Sequence, residues 1–384
     1  MISCRQFALT AALSTGLLLS SSASALTYTA LDLGTQEGQS SSATGINNAA
    51  QVVGSSITGY GVLHAFITSA NRAGMTDLGT LGGTSSMAHG INDAGQVVGY
   101  SYVAGSTARH AFIIGADGTG MIDLGNFGGA SSAAYGINRA GRVVGYFTTA
   151  NDITRAFITG ANGLGMTEIG TLGGTRSWAY GINNAGQVVG TAQTAGNTTN
   201  HAFITGANGI GITDLGSLGG SSIALGINNA GQVVGRSNVA GGASHAFITG
   251  ANGVGMTDLG TLGGSFSNAF GINNAGQVVG ASTTIDNIAR AFVTGANGAG
   301  ITNLNSLVTL PNGVYLSSAA GINDFGQIVA SGSNGHVYLL TPDTYPGFQG
   351  DNSADVPTLP EWGAILLALL LLASVARQRF PDRY

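Results

Sequence analysis

The ten residues Gly181-Ile182-Asn183-Asn184-Ala185-Gly186-Gln187-Val188-Val189-Gly190 occur seven times with small changes. The copies begin at Gly45, Gly90, Gly136, Gly181, Gly226, Gly271 and Gly321, at steps of 45, 46, 45, 45, 45 and 50 residues. Self-similarity at such a period marks a repeat architecture, in which each unit buries its apolar face only against its neighbours.

One unit reads as four short strands. Trp178, Tyr180 and Ile182 alternate with Ala179 and Gly181, as a half-buried strand does. Asn183-Asn184-Ala185-Gly186 supplies a tight turn: Asn bonds its own backbone and Gly accepts a positive φ. Gln187-Val188-Val189 is a β-branched return strand. About ten variable polar residues follow, then a third strand at His201–Thr205, a turn at Gly206-Ala207-Asn208-Gly209 and a short fourth strand at Ile212–Leu215. Four strands at roughly ten-residue spacing is the pattern of a β-propeller blade.

The two ends of the repeat region complement each other. Leu26 to Gly34 ends like the fourth strand of a unit, as comparison with Met256-Thr257-Asp258-Leu259-Gly260 shows, and has no first three strands before it. The seventh repeat has three strands, ending at Gly335-His336-Val337-Tyr338-Leu339-Leu340, and no fourth. One end supplies what the other lacks, which would remove an exposed sheet edge. The fold expected for residues 26–341 is therefore all-β: a seven-bladed β-propeller closed by its N-terminal strand, with a β-solenoid as the alternative. Scarce charge fits this reading. Charged residues are 8% of the chain, lysine is absent, and the eight arginines between Leu26 and Pro342 are scattered. No basic footprint for nucleic acid results.

Residues 1–25 have the form of a secretory signal. Arg5 is followed by an apolar run and by Ala23-Ser24-Ala25, with cleavage expected after Ala25. Cys4, the only cysteine, lies in the part removed, so the mature chain would have no disulfide, thiolate metal site or cysteine nucleophile. Residues 342–355 read as a Pro/Gly/Asp linker, and 356–384 as a tail. The tail opens on Val356-Pro357-Thr358-Leu359, continues through Trp362-Gly363 into the apolar segment 363–376, and ends with Arg377, Arg379 and Arg383. As a helix those 14 residues span about 21 Å, short of a bilayer core of about 30 Å. Trp362 suits one interface and the arginines snorkel at the other, placing the C-terminus in the cytoplasm and the repeats outside.

His64, His110, His201 and His245 occupy one equivalent position in the third strand. Arg155 and Arg290 stand there in two other repeats, and His336 in the seventh. Blades would distribute these residues around a ring, so they are not expected to converge on one metal ion. Arg is a hydrogen-bond donor and a poor ligand, so a structural donor role fits all seven. The fourth-strand carboxylates Asp77, Asp123, Glu168, Asp214 and Asp258 are candidate acceptors. No cofactor is expected. The Gly-Ala-Asn-Gly turns faintly resemble calcium turns, but Asn208 and Asn252 are neutral where a carboxylate would help.

Catalysis by placed acids has little to draw on. The glutamates are Glu37, Glu168 and Glu361, and most aspartates sit at repeated positions. Asp117, Asp152 and Asp286 fall off the pattern, the last two in equivalent loops of different repeats. A non-enzymatic binding or matrix module is expected, with a glycosidase or lyase as the alternative. The stretch between strands two and three varies most, and contains Tyr60, Tyr100, Tyr102, Tyr146, Phe147 and Arg236. Binding surfaces are grafted where a scaffold varies, here for a glycan or a surface protein.

His64-Ala65-Phe66, His110-Ala111-Phe112, His201-Ala202-Phe203 and His245-Ala246-Phe247, each in a Gly-Ile-Asn repeat, resemble the bacterial HAF family of extracellular repeats over nearly all of residues 27–341. The pattern departs at Arg155, Arg290 and His336-Val337-Tyr338. The tail is similar to the IPTL-CTERM sorting signal, with Val356 where that family usually has Ile. The resemblance implies an exported protein of a Gram-negative bacterium, at the cell surface or outside it, whose precursor is membrane-anchored by its C-terminus. Its partners would be the export machinery and an exosortase-like processing enzyme. A monomer is expected, and the resemblance implies no catalytic activity for the repeats.

Overall fold

The computed structural model describes residues 26–36, 40–69, 74–116 and 118–343. The signal segment, the sorting motif, the apolar segment 363–376 and its flanking arginines lie outside the described residues, as do Glu37, Asp117 and Glu361. Among the described residues no helix is long and apolar enough to cross a membrane.

The described chain is all-β, with 28 strands and a few single-turn 3-10 helices. In the fourth repeat the strands run Gly173–Ile182, Val188–Thr194, Asn200–Thr205 and Ile212–Asp214, each antiparallel to the next. The other repeats have the same order, and one parallel bridge, Ser244 to Phe266, joins the fifth sheet to the sixth. Gly-Ile pairs from all seven repeats line a common axial channel. Four-stranded antiparallel sheets set around an axis make this a β-propeller.

The N-terminal strand Tyr28–Gly34 is antiparallel to Val337–Pro342 of the seventh repeat, with Tyr28 opposite Pro342 and Asp32 opposite Tyr338. A linear stack would hold these segments far apart. On this strand Leu31 is 42% exposed, Leu33 packs against the cluster of Val329, Val337 and Leu339, and Tyr28 at 4% exposure is the inward anchor. A register shift between Asp32 and Gly34 interrupts the ladder at the end of the strand.

The core lies between sheets. Val144, Ala156 and Ile158 of the third repeat pack on Ala179, Val188 and Phe203 of the fourth, all nearly inaccessible. The first valine of each Val-Val pair faces one neighbour and the second faces the other. Burying each such side chain contributes about 1.5–3 kcal/mol. Gly190 is required directly after the Val188-Val189 pair, because a Cβ there would run into the Trp178 carbonyl of the inner strand.

The approach at Gly190 results from a bulge. In the fourth repeat the pairing jumps from Ala179–Gly190 to Gly181–Val189, leaving Tyr180 unpaired. The same jump occurs in every repeat and leaves Thr44, His89, Tyr135, Leu225, Phe270 and Ala320 at the equivalent point. A bulge bends the strand and re-aims the extra side chain.

Candidate functional site

The two ends of the channel differ in chemistry. At the end where the inner strands finish, the Asn-Asn turns form two hydrogen-bonded circles. Asn183 Nδ2 donates to the Asn228 carbonyl at 3.1 Å and to Gln187 Oε1 at 2.8 Å, while its Oδ1 accepts from the Gln187 amide. The inter-repeat bond passes in the same way from Asn47 through Asn92, Asn138, Asn183, Asn228 and Asn273 to Asn323, and from Asn323 back to Asn47. These side chains are 3–5% exposed, so an unmet amide there would cost its full desolvation. The next residue forms an outer circle, in which the Asn184, Asn229 and Asn274 amides donate to the side chain of the following repeat. Where the third repeat breaks the pattern, the Arg139 guanidinium donates to Asp93. Gly186, at φ +78°, closes the turn, and Gly209 of the Gly-Ala-Asn-Gly turn donates to its carbonyl at 3.0 Å. The Asn208-type turns thus brace the Asn183-type turns.

The third-strand histidines stand on separate repeats, each against its own carboxylate. His64 Nδ1 is 2.8 Å from Asp77, His110 2.8 Å from Asp123, His201 2.9 Å from Asp214 and His245 2.8 Å from Asp258. His336 meets Asp32 of the N-terminal strand at 2.8 Å, and Arg155 meets Glu168 at 3.3 Å. The carboxylate accepts, so Nδ1 carries the proton. Asp77, Asp123, Asp214 and Asp258 also accept the amide of the glycine two residues on. Arg290 has Asn303 across the ladder from the neighbouring Phe292 instead of an acid, and its guanidinium lies 3.8 Å over the Tyr315 ring. Surface pairs of this kind contribute about 0–1 kcal/mol each. Among the described residues no group of three or more His, Cys, Asp and Glu is placed to hold a metal ion.

The second strands run away from the Asn circles, and the opposite end of the channel carries an aromatic cluster drawn from consecutive repeats. His89 stacks on Tyr135, with centroids 4.2 Å apart and planes at 16°. Tyr135 stacks on Tyr146 at 5.7 Å and meets Tyr180 edge-on at 5.2 Å. Tyr100 lies 5.6 Å from His89 and 6.4 Å from Tyr102. The Arg109 guanidinium sits 4.9 Å over the Tyr100 ring. All seven side chains are half-buried. Burial, and then the charge of Arg109, push the His89 imidazole down to about 4. Its Nε2 is buried without a hydrogen-bond partner among the described residues. Burial first, then Tyr146, holds the Tyr135 phenol above the usual range, and burial pushes Tyr180 up to about 12. At neutral pH His89 is therefore a neutral imidazole and Tyr135 and Tyr180 are neutral hydroxyls, with the Arg109 guanidinium beside His89 and Arg236 bearing on Tyr180. It can bind through ring faces and donated hydrogen bonds.

The variable positions singled out in the sequence do not act as one set. Tyr100 and Tyr102 lie in the strand Val97–Val103, Tyr146 and Phe147 in Val143–Thr148, and Arg236 in Val233–Asn238. These second strands run four to five residues beyond the Val-Val pair, so these positions stand in the ladder and not in a loop. Tyr100, Tyr102 and Tyr146 join the cluster. Phe147 is 5% exposed and stacks on Phe127, and Tyr60 stands in a loop at 94% exposure. His89, Tyr135, Tyr180 and Arg109 are additions from the structure. The first three had a signal in the sequence: they occupy the one variable position of Ala-x-Gly-Ile-Asn.

No protein-family model matches the sequence, and no curated protein does. Solved structures do match. An oligogalacturonate lyase from Vibrio parahaemolyticus is similar with a TM-score of 0.51 at 9% identity, over 83% of this chain and 91% of that one. The β-propeller domain of the Trilobed protease from Pyrococcus furiosus gives 0.49 at 9% identity, over 70% and 82% of the two chains. A putative TolB from Agrobacterium tumefaciens gives 0.45 at 9% identity, over 61% and 89%. At such identity the likeness is one of fold.

Proposed function

We propose that this chain is an exported envelope protein whose seven-bladed, N-terminally closed propeller presents a ligand-binding site at the aromatic end of its channel. The observation that carries the reading is the cluster of His89, Tyr100, Tyr135, Tyr146 and Tyr180, half-buried aromatic faces drawn from three consecutive repeats. Ring closure is supported by the pairing of Tyr28–Gly34 with Val337–Pro342 and by the return of the Asn circle from Asn323 to Asn47.

Binding without turnover fits the placement of the acids. Asp32, Asp77, Asp123, Asp214 and Asp258 are engaged by histidines, Glu168 by Arg155, and Asp93 and Asp324 by the outer circle. Asp152 and Asp286 stand in loops of different repeats. A glycosidase would need two carboxyls flanking one bond.

The described chain ends at the Asn-circle end, where Pro342 lies against Gly326 and Gln327 donates to Thr341. A tail anchored or sorted through Val356–Gly363 would therefore hold the aromatic end outward, as a surface receptor requires. The HAF-type repeats and the IPTL-type tail support this address.

The test is a glycan array probed with the full chain, followed by a turnover assay on whatever is retained. Retention that falls on Tyr135→Ala together with Tyr146→Ala, with no product released, is the expected result. Product formation abolished by Asp152→Asn would establish the enzyme reading in its place. Cell fractionation and the mass of the surface form test the address: a chain beginning at Leu26 is expected, and a cytoplasmic chain with an intact N-terminus would refute export.

A further inference from the structure

Arg109 is a cation without an acid. It begins the strand Arg109–Ile114, directly opposite Tyr102. Among the described residues the arginine–carboxylate pairs are Arg139 with Asp93 and Arg155 with Glu168, and Arg109 has none. It is held instead by Tyr100, which hydrogen-bonds to it and whose ring lies 4.9 Å from the guanidinium. A half-buried guanidinium has five N–H donors, and neutral hydroxyls compensate its charge only in part. Its planar fork matches a carboxylate, which it binds through two parallel hydrogen bonds.

Beside it stands a second unmet group. His89 Nε2 is buried and unpartnered, and the ring is fixed by its stack on Tyr135. A neutral imidazole offers an N–H from one nitrogen and a lone pair from the other. It can therefore donate to a ligand oxygen or accept a ligand hydroxyl without adding charge. Tyr135, Tyr146 and Tyr180 supply flat apolar faces with hydroxyls at their edges.

We propose that this cluster, in the site assigned above, recognises a carboxylate-bearing sugar. Arg109 takes the carboxylate, His89 Nε2 takes an oxygen of the same residue, and the tyrosine faces carry the pyranose ring. This assignment rests on the reading of the aromatic end as the binding site. Arg109 is the guanidinium in ring contact with the cluster and beside His89, while Arg236 bears on Tyr180, so one carboxylate placed on Arg109 suits this end better than a doubly charged phosphate or a densely sulfated sugar. Buried polar groups that lose their partners penalise the neutral analogue, which is the source of selectivity.

The experiment measures the affinity of the full chain at pH 7 for four probes: an oligoglucuronate, the same oligosaccharide with its carboxyls reduced to alcohols, a sulfated glucose oligomer and inorganic phosphate. The oligoglucuronate is expected to bind at least tenfold more tightly than its reduced form and than the sulfated oligomer, with no binding of phosphate. Arg109→Gln is expected to erase the preference for acid over alcohol. Arg139→Gln makes the same charge change at the Asn-circle end and is expected to leave the preference intact. Near-ultraviolet circular dichroism of Arg109→Gln checks the fold, and His89→Gln gives a second variant in which the preference shrinks. Equal affinity for acid and alcohol, with both lost on Tyr135→Ala, would overturn carboxylate recognition and keep the binding site. Binding of neither sugar would overturn both. A preference that survives Arg109→Gln, or a sulfated oligomer bound as tightly as the uronate, would refute the assignment.

Discussion

Removing the N-terminal strand tests whether the ring depends on it. In a chain beginning at Gly34, Val337–Pro342 becomes an open edge. The register from Tyr28 opposite Pro342 to Asp32 opposite Tyr338 carries about five ladder bonds, at roughly 1 kcal/mol net each. Tyr28 is 4% exposed and packs with Leu304, Leu316 and Leu340, so its loss adds about 2–3 kcal/mol. Further contacts go with it: Thr29 Oγ1 donates to Asp343 at 2.6 Å, and His336 Nδ1 lies 2.8 Å from Asp32. The total is on the order of 7–8 kcal/mol, against about 5–15 kcal/mol for a typical domain. Thermal melts of chains beginning at Leu26 and at Gly34, followed by near-ultraviolet circular dichroism and calorimetry, read the difference. The shorter chain should melt far earlier or aggregate through its free edge. A synthetic peptide of residues 26–36 should restore part of the loss. Equal melting temperatures would refute closure by this strand.

The remaining predictions concern the Asn circle and the buried histidine. Asn183→Ala removes three side-chain bonds and leaves the Asn228 carbonyl without its donor, costing about 3–4 kcal/mol. At about 2 °C per kcal/mol the melting temperature should fall by about 6–8 °C, whereas Asn184→Ala on the exposed outer circle should cost under about 1 kcal/mol. A similar loss in both would mean that the inner circle carries no special load. His89 is held down at about 4 in the folded chain, against an ordinary value of 6.5. Between those values the unfolded chain binds a proton that the folded one refuses, so stability is full above about 6.5 and falls as pH is lowered toward 4. The difference is on the order of 2–3 kcal/mol. Urea titrations at pH 7 and pH 4.5 should show a shallower loss for His89→Phe than for the unsubstituted chain, and parallel losses would place His89 in water.

Much of the scaffold is readable from residues alone because each repeat restates it. Hairpin strands bring His64 opposite the Asp77 strand over a separation of 13 residues, and such local pairing needs no knowledge of the whole fold. The pairing of Tyr28–Gly34 with Val337–Pro342 is legible for another reason: each end of the repeat region carries a half-unit that the other completes. The aromatic cluster was only partly legible. A strict period of two places Tyr180 on the same face as Trp178 and Ile182, and only the bulge at Ala179/Gly181 frees it to meet Tyr135. Tyr100, Tyr146 and Tyr180 come from different repeats and share no local pattern. Their meeting depends on the stacking of sheets around the axis, which no single repeat encodes.

Hydrogen exchange of the full chain, with and without the glycan it retains, locates the binding surface directly. Slowed exchange is expected in Gly82–Ile91, Val97–Val103, Ser131–Ile137, Val143–Thr148 and Gly173–Ile182, the strands that carry His89, Tyr100, Tyr135, Tyr146 and Tyr180. Protection confined to the turns around Asn183–Gly186 and Ala207–Gly209 would put the ligand at the Asn-circle end and contradict the aromatic site.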